Sequence, residues 1–144
     1  MHQQTTPSPT YDSAAHIRHD RWNSPLTRYV CLAQAAYYTL TGIWPLVSIG
    51  TFQMVTGPKQ DLWLVKTVGV LISVIGGVLA MAGYRRRIGP ETATLAVGSA
   101  LGLTAIDVVY VSKRRIAPIY LLDALGELVL VAAWVIGWTK GLRR

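Results

Sequence analysis

The sequence contains little of what a soluble enzyme or a disulfide-bonded secreted protein needs. Its single cysteine, Cys31, excludes a disulfide within the chain and a redox-active thiol pair. Charged residues make up only 15% of the 144 residues, well below the roughly 25% of a typical soluble domain. No metal-ligand cluster, phosphate-binding loop or nucleophile–base pair can be recognised. The sequence therefore predicts no soluble catalytic domain, no cofactor and no metal site, and it assigns no catalytic residue.

Long apolar runs, separated by short clusters of charge, dominate the rest of the chain. Hydrophobic residues account for 51% of the sequence, and the mean hydropathy is +0.35. Runs of about 20 apolar residues are long enough to cross a bilayer as helices. We therefore predict an all-α integral membrane four-helix bundle, up-down-up-down, within one domain at residues 28–144. The predicted spans are about 28–50, 62–84, 92–112 and 117–139, and residues 1–27, rich in Pro, Ser, Thr and Gln, are predicted to be a disordered tail.

The net charge of +7 does not indicate a nucleic-acid partner, because the basic residues flank the apolar runs. Their predicted partner is the lipid bilayer. With four spans, nine basic residues fall on the side of the two termini and five on the other side. The excess favours a topology with both termini in the cytoplasm. The basic turn Lys113–Arg115 on the opposite side weakens this asymmetry.

Small residues within two spans predict close helix packing. In the second span, Gly69, Ser73 and Gly77 repeat every four residues, which lets two helix backbones approach each other. In the third span, Gly98 and Gly102 form a GxxxG pattern of the kind found at helix interfaces. Such surfaces can serve packing within the chain, a homo-oligomer or a larger membrane complex.

Three carboxyl groups lie inside the predicted spans. Asp123 and Glu127 are one helical turn apart in the fourth span, and Asp107 lies in the third. Exposing all three to lipid would cost on the order of 8–10 kcal/mol, so they are predicted to face the bundle interior. At 1.5 Å per residue, Asp107 lies about 9 Å before Lys113, and Asp123 lies about 12 Å after Arg115. Lys66 falls at a similar depth in the second span, which predicts that it points toward Asp107 or Asp123.

Polar side chains on the first and fourth spans extend this predicted site. Gln34, Tyr37, Tyr38 and Thr41 form one polar stripe on the first span, which should face inward. Tyr120 lies on the same helical face as Asp123. The candidate residues of a ligand or ion pocket are therefore Asp123, Glu127, Asp107, Lys66, Tyr120, Gln34 and Tyr38. The alternative is an ion pair between Lys66 and an acid that only holds helices together.

The stretch from Leu40 to Gly77, with AIDVVYV and IYLLDALGEL further on, resembles small four-span bacterial membrane proteins, and the layout is similar to the DoxX-like group. The resemblance covers about residues 30–135 and implies a four-helix membrane fold and a location in the bacterial cytoplasmic (inner) membrane. DoxX-like proteins are linked to redox complexes, but no cysteine pair or histidine lies within the spans here. Small multidrug transporters also have four spans, with a glutamate in the first where this chain has Gln34. Sterol-isomerase-like EXPERA proteins bury carboxylates among aromatic residues.

Three classes of function follow from these features. The first is a protein that binds or carries a lipophilic or cationic small molecule, or that serves as a subunit of a membrane complex. The second is an intramembrane isomerase or cyclase, in which Asp123 or Glu127 donates a proton and Asp107 orients or accepts one. The third is a purely structural or assembly protein, in which the acids are dispensable. The lack of a recognisable catalytic motif favours the first class.

Overall fold

The computed structural model describes residues 22, 24–58 and 60–141. Within them the chain forms five α-helices and no strand, which confirms the predicted all-α helical bundle. The helices are α1 (Pro25–Val47), α2 (Ile49–Thr56), α3 (Leu62–Tyr84), α4 (Pro90–Ser112) and α5 (Tyr120–Gly141). All except α2 are long and apolar enough to cross a membrane. The tail predicted for residues 1–27 lies mostly outside the described residues.

The first helix begins and ends three residues earlier than the hydropathy pattern predicted. The hydroxyl oxygen of Ser24 accepts a hydrogen bond from the N–H of Thr27 at 3.2 Å, and Pro25 occupies the first turn. Both features are typical of a helix start. The helix continues past Pro45 and stops at Ser48, whose backbone is extended at φ −144°. The chain then turns directly into α2, a helix that the sequence pattern left as a connection.

The helices alternate in direction through the membrane. α1 runs antiparallel to α3 and α5 and parallel to α4, which gives the predicted up-down-up-down order. The directions follow from pairs of neighbouring residues. α1 meets α3 at Leu32–Gly83 and Gly42–Gly69, α5 at Thr27–Gly137 and Tyr38–Glu127, and α4 at Gln34–Ala96 and Tyr38–Ser99. The closest packing is between α1 and α3, whereas α3 and α4 contact each other only slightly.

Glycines form the contact between α1 and α3, but not all of those that the sequence suggested. Gly42 and Gly69 face each other so closely that a Cβ on Gly69 would lie 2.6 Å from the carbonyl oxygen of Gly42. The contact continues along α3 through Gly76 and Gly83. A Cβ on Gly77 would meet no atom of another helix within 4 Å, so its predicted place in the contact is wrong. Each four-residue step turns about 40° around a 3.6-residue helix, so a repeat of four drifts off the interface.

The GxxxG pattern of α4 is not used within the described chain. A Cβ on Gly98 or Gly102 would meet no atom within 4 Å, and both residues are exposed. The close packing that this pattern predicted therefore does not occur between the described helices. The outer surface of the bundle is instead lined by large apolar side chains, as expected of a surface that faces lipid.

The two turns at the ends of α4 have the same backbone structure. Arg86 and Arg114 adopt φ angles of 53° and 54°, in the left-handed region where glycine is usual. In each turn the next N–H donates to a carbonyl five residues back, at 3.0 Å from Ala82 and at 2.9 Å from Tyr110. This is the Schellman arrangement that closes many helices. Both turns have the sequence Arg-Arg-Ile-x-Pro, with Gly or Ala at x.

Packing is tightest in the half of the bundle that contains the turn from α3 to α4. Cys31, Leu79, Ile88 and Trp134 are buried together there. The thiol of Cys31 donates to the carbonyl oxygen of Leu79 at 3.3 Å. This half fixes the relative positions of α1, α3, α4 and α5, and the opposite half is left more open.

Cysteine labelling tests the alternation of the helices. Gln60 and Arg85 are exposed residues just outside the two ends of α3. In sealed vesicles, a membrane-impermeant maleimide should label either Gln60→Cys or Arg85→Cys, but not both. The unsubstituted protein is the control, because its Cys31 is buried and should stay unlabelled until the protein is unfolded. Labelling of both sites from the same side would contradict the fold.

Candidate functional site

A cavity of about 600 Å³ occupies the end of the bundle where α1 and α4 finish and α3 and α5 start. Its walls are mostly apolar and include Val65 and Ile72 of α3 and Leu103 of α4. Phe52 and Val55 of α2 and Ile116 of the turn before α5 complete the lining at the membrane surface. The eight-residue helix α2 therefore forms part of the cavity wall.

Three carboxyl groups lie together on one wall of this cavity. Asp107 comes from α4, and Asp123 and Glu127 come from successive turns of α5. Asp107 is 6% exposed and Glu127 is 1% exposed, while Asp123 is half-buried. Asp107 and Asp123 are close enough to interact electrostatically, at the common depth that their positions in the sequence predicted. Among the described residues, no lysine or arginine lines the cavity.

Two neighbouring tyrosines of α1 donate hydrogen bonds to the acids of α5. The hydroxyl of Tyr37 donates to Oδ1 of Asp123. The hydroxyl of Tyr38 donates to Oε2 of Glu127 at 3.0 Å and also lies 3.2 Å from Oγ of Ser99. These bonds hold α1 against α5 and give each acid of α5 a defined donor.

The polar stripe of α1 faces the bundle interior, as predicted, but it serves two purposes. Tyr38 and Thr41 line the cavity. Gln34 lies one turn further from it and is fully buried. Its Nε2 donates to the carbonyl oxygen of Ala96 at 2.9 Å, and its Oε1 accepts from Nε1 of Trp134 at 2.7 Å. Gln34 therefore joins α1, α4 and α5 below the cavity and is not part of the lining.

Lys66 does not point into the cavity, and its predicted approach to the acids is wrong. Its side chain is exposed and does not line the cavity. The cavity is lined instead by Val65, Val68 and Gly69 of α3. Each residue turns a helix by about 100°, so Lys66 points to the side of α3 away from this face. Equal depth in the membrane places two residues at one level, but it does not bring them together.

Tyr120 lines the cavity next to Thr56, the last residue of α2. It is one turn before Asp123, as the sequence spacing predicted. Tyr37 was not among the predicted site residues, although it belongs to the polar stripe and bonds directly to Asp123. The adjacent tyrosines Tyr37 and Tyr38 were the signal that could have identified it. Two phenol hydroxyls on one span can each donate a hydrogen bond to one of two acids on another span.

Comparison of the chain with protein-family models, with curated proteins and with solved structures found no match. The similarity to the DoxX-like group thus stays a prediction from the sequence. The structure supports a small multi-pass membrane protein, since four of its helices can span a bilayer. No relative supplies a role for the acids.

The arrangement of the site limits its chemistry. Among the described residues, no group of three or more His, Cys, Asp or Glu side chains has the geometry to hold a metal ion. The carboxyl groups can accept hydrogen bonds, carry negative charge or exchange protons. Because the surrounding walls are apolar, a bound molecule would contact hydrocarbon over most of its surface and carboxyl groups at one end.

Proposed function

We propose that this small membrane protein binds a lipophilic cation in the cavity between α1, α3, α4 and α5. One observation supports the proposal: a carboxyl cluster lies on the wall of an apolar cavity that no described lysine or arginine enters. A ligand with a positive group and an apolar body would match both parts of this lining. The protein would then act as a binding protein or carrier within the membrane.

The energies favour such a ligand over a neutral one. Two opposite charges 4 Å apart attract by about 4 kcal/mol at the effective dielectric constant of 20 that suits sites near a protein surface. A cation would supply this attraction and would also offset the negative charge of the Asp107–Asp123 pair. The cavity volume of about 600 Å³ is within the range of roughly 300–1,000 Å³ typical of small-molecule sites.

The weak contact between α3 and α4 suggests how the ligand enters. Val68 of α3 and Ile106 of α4 line the cavity and are 41% and 55% exposed, so the cavity has an apolar edge on the outer surface of the bundle. A lipophilic cation concentrates in the bilayer and could enter through this edge. In a bacterial inner membrane with cytoplasmic termini, which is also part of the proposal, the cavity lies in the outer half of the bilayer.

The proposal is tested by measuring how tightly the protein binds three pyrene derivatives, of which one is a cation, one is neutral and one is an anion. The protein is reconstituted in lipid nanodiscs and dialysed against 1-pyrenemethylamine, 1-pyrenemethanol or 1-pyrenecarboxylate at neutral pH. We expect saturable binding of the amine alone, after subtraction of the amount taken up by empty nanodiscs. The part of the energy transfer from tryptophan to pyrene that is lost in Trp44→Phe would report occupancy of the cavity, because Trp44 lines it.

Two variants with the same change in charge locate the binding. Asp107→Asn should weaken binding of the amine by about tenfold, or about 1.4 kcal/mol. Asp61→Asn is the control and should have no effect, because Asp61 is exposed, makes no side-chain capping bond and does not line the cavity. Equal binding of all three probes, or equal effects of the two variants, would refute the proposal.

A further inference from the structure

The three acids of the cavity differ in how their oxygen atoms are satisfied. Asp123 accepts a hydrogen bond from Tyr37, and Glu127 accepts one from Tyr38. Asp107 interacts with Asp123 but keeps one oxygen unsatisfied. Its Oδ2 is the one buried side-chain oxygen or nitrogen, among the described residues, that has no hydrogen-bond partner. Asp107 is 6% exposed and lines the cavity.

An unpaired carboxylate oxygen in such a place is costly. Leaving a buried acceptor without a donor costs about 1–3 kcal/mol, and more when the group is charged. Tyr37 and Tyr38, which supply the donors of the other two acids, already donate to Asp123 and Glu127. Oδ2 has almost no surface open to the cavity, but the Asp107 carboxyl group lines the cavity. If that group turns about its Cβ–Cγ bond, a molecule that fills the cavity can supply the missing donor.

The negative charge around Asp107 restricts which hydrogen-bond donors would suit its Oδ2. Asp123 lies beside it, within reach of a side-chain hydrogen bond, so two acidic groups share one part of the wall. A hydroxyl or an amide could donate a hydrogen bond to Oδ2 but would not offset the negative charge that the pair of acids carries. A quaternary ammonium would bring positive charge but no hydrogen to donate. A protonated amine supplies both in one group, and its hydrogen bond to a carboxylate is about twice as strong as a neutral one.

We infer that the ligand is an amine with an apolar body, and that its protonated nitrogen donates an N–H to Oδ2 of Asp107. This inference rests on the proposed function, because it specifies the chemistry of the same cationic ligand. Asp107 is the residue that distinguishes amines from other cations. Asp123 contributes charge, since its own carboxyl group is already bonded to Tyr37.

A pair of cations that differ in their donors tests the inference. The amine is 1-pyrenemethylamine, and its matched partner is the trimethylammonium derivative, which carries the same charge but no N–H. In nanodiscs at neutral pH, the unsubstituted protein should bind the amine about tenfold more tightly than the quaternary ion, as expected for one charge-assisted hydrogen bond.

Variants of two acids assign the preference to one residue. In Asp107→Asn, a neutral acceptor remains, so the preference for the amine should fall to about threefold. In Asp107→Leu no acceptor remains, and the preference should vanish. In Asp123→Asn, both cations should bind more weakly by a similar factor, with the preference for the amine kept. Size-exclusion profiles and helical circular dichroism check that each variant is folded.

The outcomes separate this inference from the proposed function. If the unsubstituted protein binds both cations equally, and both better than the neutral and anionic pyrenes, the inference is overturned and the proposed function stands. If no cation is preferred over pyrenemethanol, both are overturned. If Asp107→Leu keeps the tenfold preference, Asp107 is not the acceptor and the inference fails. The comparison of ligands on the unsubstituted protein decides the matter even if a variant does not fold.

Discussion

Replacing Gly76 with alanine is expected to lower the free energy of unfolding by about 1–3 kcal/mol, the usual cost of overpacking a tight interface. Gly76 is buried and faces α1 across the tight contact between the two helices. A Cβ there would lie 2.5 Å from Oγ1 of Thr39, 2.9 Å from the backbone nitrogen of Thr39 and 3.0 Å from the carbonyl oxygen of Ala35. The hydroxyl could rotate away, but the backbone atoms cannot, so α1 and α3 would have to separate.

Gly77 provides the matched control, because it is the next residue of the same helix. A Cβ on Gly77 would meet nothing within 4 Å, and the residue is exposed. Alanine favours a helix over glycine by about 1 kcal/mol, so Gly77→Ala should leave stability unchanged or raise it. Reversible unfolding in detergent, followed by circular dichroism, measures both variants. Equal losses of stability would mean that the helices are not in contact at Gly76.

Replacing Gln34 with leucine is expected to cost about 1–2 kcal/mol of stability. Gln34 is fully buried, and its amide bonds to the Ala96 carbonyl and to the indole N–H of Trp134. Leucine fills a similar volume but accepts no hydrogen bond. The indole N–H of Trp134, a side chain that is 2% exposed, would then be buried without a partner. That lost pairing accounts for most of the expected cost.

A second substitution separates the hydrogen bond from the packing. Trp134→Phe removes the indole N–H, so a protein that carries both substitutions has no unpaired indole donor. The loss of stability in the double variant should therefore be smaller than the sum of the two single losses. The measurement is a double-mutant cycle of unfolding free energies. Additivity to within about 0.5 kcal/mol would show that the two side chains are not coupled.

Hydropathy was sufficient to predict the four long helices, because a membrane span needs length and apolar character more than any local motif. It did not predict α2. A helix of eight residues that follows α1 after a single residue gives too short an apolar pattern to stand out. The glycine contact was predicted on the correct helix and extended to the wrong residue, Gly77. A spacing of four is close to the helical period but does not equal it.

The sequence predicted the depth of a residue in the membrane better than the direction in which its side chain points. The helical rise placed Asp107 and Asp123 at one level, and both line the cavity. The same calculation placed Lys66 at that level, but its side chain is exposed. The rotation of α3 about its axis is set by the glycine contact with α1, which hydropathy does not contain. The bond from Tyr37 to Asp123 likewise depends on how α1 is rotated against α5.

The left-handed arginines of the two turns bear on how the chain inserts into a membrane. Glycine would adopt this backbone more easily, by roughly 1 kcal/mol or more, yet Arg86 and Arg114 occupy both positions. Each is the middle residue of three consecutive basic residues, and α4 places the two triplets on opposite membrane surfaces. Their contributions to the charge asymmetry that guides insertion therefore cancel. The direction of insertion therefore depends on the basic residues outside the turns, such as Arg28 and Lys140, and the loss of one arginine from either turn should shift the asymmetry as much as the loss of one of these.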